Sequence, residues 1–124
     1  LAGAGIGDHR WTDDYKRTLV DSRVQSTSLL ASTLAAMTGG GPRTLISGSA
    51  VGYYGDRGDE VLDETSAPGD GFLADLCRSW EAATAPAESA GVRVAHIRTG
   101  LVLSVRGGAL KKMLPLFRFG QVDH

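Results

Sequence analysis

Glycine spacing constrains this chain more than any other feature of its sequence. The 124 residues include 17 glycines, whereas an average protein carries about 7% glycine. The glycines form clusters, among them Gly39–Gly41 and the set at positions 48, 52, 55 and 58, and apolar segments lie between the clusters. Glycine clusters that alternate with apolar runs indicate short buried elements joined by tight turns, and not a disordered low-complexity chain.

Apolar periodicity in the first half predicts one long helix followed by a strand. Apolar residues recur at helical spacing from Asp13 to Met37. Thr12 precedes this segment as a potential N-cap, and the glycine run after it ends the helix. The apolar, β-branched segment 43–47 then predicts a buried strand, and residues 48–58 predict a loop.

The second half repeats the alternation of helix and strand. Residues 71–90 have a helical pattern, which Pro86 either kinks or ends at Ala85. Residues 92–97 predict a second strand, and Leu101–Leu103 either continues it or forms a short further strand. Residues 109–117 predict a last helix. Helices that alternate with short apolar strands favour an α/β fold with a parallel sheet.

Charge and composition indicate which binding partners and which cellular compartment fit this protein. Lys and Arg total 13, Asp and Glu total 14, and the net charge of -1 offers no electrostatic attraction to nucleic acid or to an anionic membrane. A single cysteine, Cys77, allows no internal disulfide and fits a cytoplasmic protein. The histidines lack the spacing of metal ligands, so no metal site is expected. Because the chain begins at Leu1 and not at Met, we expect the natural N-terminus to be missing.

Three segments resemble extended short-chain dehydrogenases/reductases, in the family's order. Ser22–Leu30 resembles their N-V-x-G-T-x-x-L-L helix, Leu45–Gly55 their S-S-x-x-V-Y-G turn, and Ile97–Leu103 their L-R-x-x-x-V-Y-G strand end. A divergent epimerase-like subfamily is more similar still. Its motifs G-F-L-A-x-L-C-x-x-W-E and G-G-A-L-x-K-M-L-P-x-F match Gly71–Glu81 and Gly107–Phe117.

This resemblance implies a partial Rossmann fold, a doubly wound parallel sheet that binds a dinucleotide. Residues 1–124 would be the central part of an NAD(P)-binding domain, with the substrate lobe starting near 104–124. The N-terminal strands with the phosphate loop would be lacking, because Gly3, Gly5 and Gly7 match the loop after the fourth strand of the family. The implied cofactor is NADP, with NAD not excluded.

The resemblance also places cofactor contacts. Leu1 and Ala2 would lie along the adenosine-phosphate side of the cofactor. Gly3 would allow the backbone to approach the cofactor closely, and Arg23 could reach a phosphate or a ribose. Arg98 and Val102 would lie near the nicotinamide. Two alternatives stay open: a structural salt bridge for Arg23, and a solvated strand-end charge for Arg98.

The family's catalytic trio is incomplete in this chain. Ser49 matches the serine, but the positions of the family's Tyr and Lys fall on Leu73 and Cys77, or on Phe72 and Leu76 with a shift of one. Neither pair can move a proton as a Tyr–Lys pair does. Tyr53 and Tyr54 are candidate substitute acids, although either could simply pack on the sheet or lie exposed. Ser49 could equally cap local N–H groups.

Three hypotheses about function follow from the resemblance. The first is an NADP-binding oxidoreductase or epimerase that acts on an unknown sugar-nucleotide-like or small carbonyl substrate. The second is a cofactor-binding sensor or scaffold without catalysis, which the absent Tyr–Lys pair favours. The third is an inactive piece of a longer parent. A homodimer through the helices after Asp13 and Gly71 is a further expectation from the family.

Overall fold

The computed structural model describes residues 2–37 and 39–120. It contains helix α1 (Asp13–Ala36), strand β1 (Thr44–Ala50), a short 3-10 helix (Val51–Tyr54), helices α2 (Phe72–Ala82) and α3 (Ala85–Ser89), strand β2 (Arg93–Thr99) and helix α4 (Gly108–Arg118). The two strands form a parallel sheet in which Thr44 pairs with Arg93 and Ala50 with Thr99. This arrangement confirms the predicted α/β fold with a parallel sheet.

Helix α1 begins and ends where the sequence predicts. The Thr12 hydroxyl accepts a hydrogen bond from the Tyr15 amide at 3.1 Å, and Asp13 and Asp14 lie in the first turn, where carboxylates stabilise the helix dipole. Beyond the helix, Gly39 and Gly40 have φ angles of +69° and +135°. Residues with side chains rarely adopt these angles, so the chain turns here towards β1.

The helices cover one face of the sheet. Leu45, Ser47 and Ser49 of β1 point into the covered side and are buried. On the opposite side, Ile46 and Ile97 are 65% and 55% exposed. The core has two buried clusters, Leu19 with Leu76 and Cys77, and Ala31 with Leu45 and Ala87. Both clusters include residues of α1, which therefore spans the whole covered face.

The first strand is longer than predicted. Residues 48–50 belong to β1, and the 3-10 helix replaces the next part of the expected loop. The reason is pairing, because Gly48 to Ala50 lie in register with Ile97 to Thr99 of β2. The prediction of a loop starting at Gly48 is therefore wrong.

Two further predictions need correction. The helix expected over 71–90 is two helices, since α2 ends at Ala82 and α3 resumes at Ala85 with Pro86 in its first turn. Proline fits there because a first-turn N–H has no partner within the helix. Leu101–Leu103 forms no strand, and its side chains are 66–68% exposed, because no neighbouring strand lies beside it. Within the described residues, no helix is both long and apolar enough to cross a membrane.

Candidate functional site

The carboxylate of Glu81 on α2 joins the ends of both strands. Ser49 donates its hydroxyl to Glu81 Oε2 at 2.9 Å. Arg98 of β2 binds the same carboxylate twice, through Nε to Oε2 at 3.2 Å and through Nη2 to Oε1 at 2.9 Å. The side chains of Arg98 and Glu81 are only 18% and 11% exposed. This two-pronged ion pair is the geometry that a guanidinium makes best with a carboxylate.

Arg98 also holds the two tyrosines of the 3-10 helix. Its Cζ lies 3.6 Å from the centre of the Tyr53 ring, and its Nη1 donates to the Tyr54 hydroxyl at 3.0 Å. Tyr54 in turn donates to the Asp63 carbonyl at 2.9 Å. The hydrogen bonds to Glu81 raise the pKa of Arg98 above its ordinary value. Arg98 is thus a constrained, permanently charged group, and the alternative of a solvated strand-end charge is wrong.

His96 and Thr84 complete the surroundings of Glu81. The Thr84 hydroxyl donates to the Glu81 carbonyl at 2.8 Å and lies 3.1 Å from His96 Nε2. His96 Nδ1 lies 3.6 Å from Glu81 Oε1. His96 therefore occupies a sheet position that faces α2. Across residues 2–37 and 39–120, no group of His, Cys, Asp or Glu side chains has the arrangement of a metal site.

Glu81 is the residue of this site that sequence reasoning missed. The motif comparison used it only to align α2, although the structure makes it the common partner of Ser49 and Arg98. A signal was available, since positions 73, 77 and 81 share one face of a helix. Leu73 and Cys77 make that face apolar, and a carboxylate on an apolar face needs a buried partner.

A second part of the site lies between the N-terminal loop, α1 and β1. A groove of about 490 Å³ is lined there by Ala2, Gly3, Arg23, Ser47, Gly48, Trp80 and further residues of α1 and β1. Arg23 donates from Nη1 to the Leu19 carbonyl at 3.1 Å, and its Cζ lies 5.3 Å from the centre of the Trp80 ring. Desolvation lowers its pKa. The structure thus brings together Ala2, Gly3 and Arg23, as the resemblance implied.

Arg23 has a donor without a partner. Its Nε atom is buried, and among the described residues it makes no hydrogen bond. No carboxylate pairs with this guanidinium in the part of the chain that the structure describes. Arg23 is therefore held by its hydrogen bond to the Leu19 carbonyl and not by a salt bridge. An unsatisfied buried N–H is costly and is often completed by a ligand.

Gly3 lies in close contact with the Arg23 side chain, so a side chain at position 3 would displace the guanidinium. A Cβ atom built on Gly3 would lie 2.7 Å from Arg23 Cζ. The loop is held in place by the Ala4 amide, which donates to Ser22 Oγ at 3.0 Å. Within this chain Gly3 thus lies against the Arg23 guanidinium, and its predicted close approach to the cofactor stays a prediction.

The remaining predicted residues lie apart from both clusters. Val102 is 68% exposed in the segment after β2 and contacts neither Glu81 nor the Arg23 groove. Leu1 lies outside the described residues. Cys77, one of the two residues matched to the family's Lys, is 1% exposed, and burial raises its thiol pKa. The side chains at the Tyr–Lys positions thus belong to the packed core and its edge.

Comparisons with known proteins find relatives named epimerase family proteins, although no protein-family model matches the chain. An epimerase family protein of Mycobacterium bovis is 49% identical over 97% of this chain and 39% of its own length. The chloroplastic homologue of epimerase family protein SDR39U1 from Arabidopsis thaliana is 41% identical over 95% of the chain and 34% of its own length. The chain thus spans about two fifths of the length of the mycobacterial relatives that it matches.

Two solved structures share the fold of this segment. The human epimerase family protein SDR39U1 (isoform 2), crystallised with NADPH, superposes with a TM-score of 0.83 at 32% identity, over 97% of this chain and 41% of that one. The nucleoside-diphosphate sugar epimerase of Corynebacterium glutamicum gives a TM-score of 0.75 at 53% identity, over 88% of this chain and 24% of that one. The resemblance to an epimerase-like family is confirmed, and it extends over only part of the length of these relatives.

Proposed function

We propose, from the homology of this chain to the epimerase family proteins, that it supplies one wall of an NADP(H) site in an epimerase-like oxidoreductase. The observation that carries the proposal is the Arg23 groove, where a buried guanidinium N–H has no partner within the described chain. The human relative was crystallised with NADPH, which supports NADP(H) over NAD(H).

The residues of this groove fit such a cofactor. A dinucleotide offers phosphate and ribose oxygens, and Arg23 Nε is a buried donor that lacks an acceptor. Gly3 leaves the guanidinium uncovered at the place where a Cβ atom would meet it. Arg23, Ala2 and Gly3 would hold the cofactor, with Leu1 beside them. When bound, the cofactor supplies a hydride.

The Glu81 cluster is the proposed reacting end of the site. Ser49 lies at the carboxyl end of β1, the edge where open α/β sheets bind ligands. Arg98 ties Tyr53 and Tyr54 to the same place. We keep Ser49, Tyr53 and Tyr54 as candidate catalytic residues, and Arg98 and Val102 as candidate nicotinamide contacts. The substrate would be a sugar-nucleotide-like compound or a small carbonyl.

NMR titration with NADPH tests the proposed groove and detects even millimolar binding. We expect the amide signals of Ala2, Gly3, Ser26 and Ser47 to shift, and the shifts to be largely lost in Arg23→Met. The matched control is Arg17→Met on the same helix, because that side chain is exposed and its nearest acidic contact is 3.9 Å long. No shift in the wild type, or equal shifts in Arg23→Met, would overturn the proposal.

A non-catalytic cofactor-binding role is the second candidate, and one observation favours it. The family's Tyr and Lys positions fall on Leu73 and Cys77, or on Phe72 and Leu76, and both Cys77 and Leu76 are buried. The two candidates differ in what happens to bound NADPH when aldehydes and ketones are added. Loss of NADPH absorbance at 340 nm supports the oxidoreductase, whereas a stable bound cofactor across the panel supports the sensor or scaffold.

A further inference from the structure

His96 on β2 has its Nε2 atom fixed by a buried hydroxyl. The Thr84 hydroxyl donates its single hydrogen to the Glu81 carbonyl at 2.8 Å, so only lone pairs are left for His96 Nε2, which lies 3.1 Å away. His96 Nε2 therefore carries a hydrogen and donates it to Thr84. In a neutral imidazole the other nitrogen, Nδ1, is then an acceptor. Thr84 is 1% exposed, so water does not compete for this bond.

The Nδ1 atom of His96 is open to a groove. Glu81 Oε1 lies 3.6 Å from it, which is beyond hydrogen-bond distance. Among the described residues, Arg23 Nε is the side-chain atom that is both buried and without a partner, so Nδ1, which has no hydrogen bond there either, is not buried. With Tyr54, Glu81 and Arg98, His96 lines a groove of about 570 Å³. Its side chain is 24% exposed, so a ligand in this groove can reach the Nδ1 lone pair.

We propose that His96 is the proton acceptor at the reacting end of the site, and that Thr84 is the positioning residue that keeps its Nδ1 lone pair free for a ligand hydroxyl. This rests on the proposed function, since it assigns a proton transfer for which the chain lacks the family's Tyr–Lys pair. The hydroxyl proton passes to Nδ1, and the electron pair of the broken O–H bond stays on the ligand oxygen. The ring becomes an imidazolium whose other proton remains bound to Thr84.

Glu81 and Tyr54 both favour this role for His96. Once Nδ1 carries the proton, it faces Glu81 Oε1 at 3.6 Å, and the opposite charges attract each other. The Tyr54 hydroxyl lines the same groove but is already used, because it accepts from Arg98 at 3.0 Å and donates to the Asp63 carbonyl at 2.9 Å. His96 Nδ1 is thus an acceptor in this groove that no group of the described chain occupies.

Nitrogen-15 NMR of the imidazole rings tests the assignment, because protonated and unprotonated ring nitrogens give separate signals. We expect the neutral His96 ring to carry its proton on Nε2 and not on Nδ1, and His96→Gln identifies the signals. In Thr84→Val the proton moves to Nδ1 in part of the molecules, because Nε2–H has lost its acceptor and Glu81 remains as one. Thr84→Ser keeps the hydroxyl and should keep the wild-type ring.

Phenol and anisole then probe the lone pair, since the two are similar in size and only phenol has a hydroxyl hydrogen to donate. We expect phenol to reach half-saturation of the His96 Nδ1 shift at about fivefold lower concentration than anisole, which is the size of one hydrogen bond gained. The preference should fall towards unity in Thr84→Val and return in Thr84→Ser. Thr18→Val is the matched control and should leave it intact, because the Thr18 hydroxyl donates to the Asp14 carbonyl at 3.2 Å on the exposed surface of α1.

Three results overturn the inference. They are a proton on Nδ1 in the neutral ring of the wild type, an equal or stronger response to anisole, and a phenol preference that survives in Thr84→Val. NADPH-induced shifts at Ala2 and Gly3, measured on the same samples, report separately on the proposed function. Their presence without a phenol preference refutes the role of His96 alone, whereas their absence beside a clear phenol preference refutes the NADP(H) site alone.

Discussion

Arg98 concentrates more interactions than any other side chain at the strand ends, and its loss should be costly. Arg98→Met leaves the Glu81 carboxylate buried without its cation, so we expect a loss of about 3–5 kcal/mol in the free energy of unfolding. Urea denaturation followed by circular dichroism measures it.

The matched comparisons separate this desolvation effect from a simple loss of contact. Arg98→Met combined with Glu81→Leu removes both charges and should cost clearly less than the single change. Arg57→Met breaks the more exposed pair with Glu60, for which about 0–1 kcal/mol is expected. If the double variant is less stable than Arg98→Met, the buried carboxylate is not the source of the cost.

Gly69 offers a purely steric test at the turn before α2. Its Cβ would lie 2.2 Å from the Tyr54 carbonyl oxygen, which is backbone and cannot move aside. We expect Gly69→Ala to destabilise the chain by about 1–3 kcal/mol and to shift the Tyr54 signals in NMR spectra. Gly100→Ala is the control, because nothing lies within 4 Å of that Cβ position. Similar stabilities of the two variants would contradict the packing described for Gly69.

For a single residue, the sequence predicts whether the side chain is buried better than it predicts which other residues the side chain contacts. Cys77 lies among apolar residues at helical spacing in segment 71–90, a pattern that predicts a buried thiol, and its side chain is indeed buried. The bond of Ser49 to Glu81 and the stacking of Arg98 on Tyr53 join residues 32 and 45 positions apart. Such contacts depend on how strands and helices are placed, and local patterns do not encode that placement.

For the elements, the N-terminus of α1 gives a direct prediction. Thr12→Ala removes the acceptor of the Tyr15 amide, and about 1 kcal/mol of stability should be lost. Thr12→Ser retains the hydroxyl and should stay within a few tenths of a kcal/mol of the wild type. Thermal or urea unfolding measures both, and an alanine variant as stable as the serine variant would show that the cap is dispensable.

Element boundaries were predictable where the signal is local. Thr12 and the glycine run delimit α1. Pro86 indicated an interruption in the segment 71–90, but α2 already ends at Ala82 and Pro86 lies in the first turn of α3. The end of β1 was not predictable, because Gly48 and Ala50 are strand residues only through their pairing with β2. Leu101–Leu103 shows the reverse case, since an apolar β-type segment without a neighbouring strand stays irregular.

For the whole molecule, the uncovered side of the sheet dominates the expected solution behaviour. Parallel strands are normally covered on both faces, whereas Ile46 and Ile97 here are largely exposed. The isolated chain should therefore bind the dye anilinonaphthalene sulfonate, and Ile46→Thr with Ile97→Thr should reduce the fluorescence by about half or more, as expected for loss of a contiguous apolar patch. Val61→Thr, a 94% exposed position outside the sheet, is the control and should change it little.

The family was recognisable from sequence because its motifs occur in order, and the relatives confirm this. The layout of the candidate site was only partly recognisable. The motifs indicated Ala2, Gly3 and Arg23 together. The placement of Val102 near the nicotinamide stays a prediction, since in this structure Val102 lies exposed and apart from both clusters. Side chains carried by irregular segments have no periodicity that predicts where they lie.

The parallel pairing of β1 with β2 also governs the order of folding. Every pair in this ladder joins residues 49 positions apart, as Thr44 and Arg93 do, so a long loop must close before the first inter-strand hydrogen bond forms. Loop closure of this length costs entropy that local helical turns do not incur. Helix α1 can thus form early, and the sheet, together with the bond that joins Glu81 to Arg98, belongs to the slow, late step of folding.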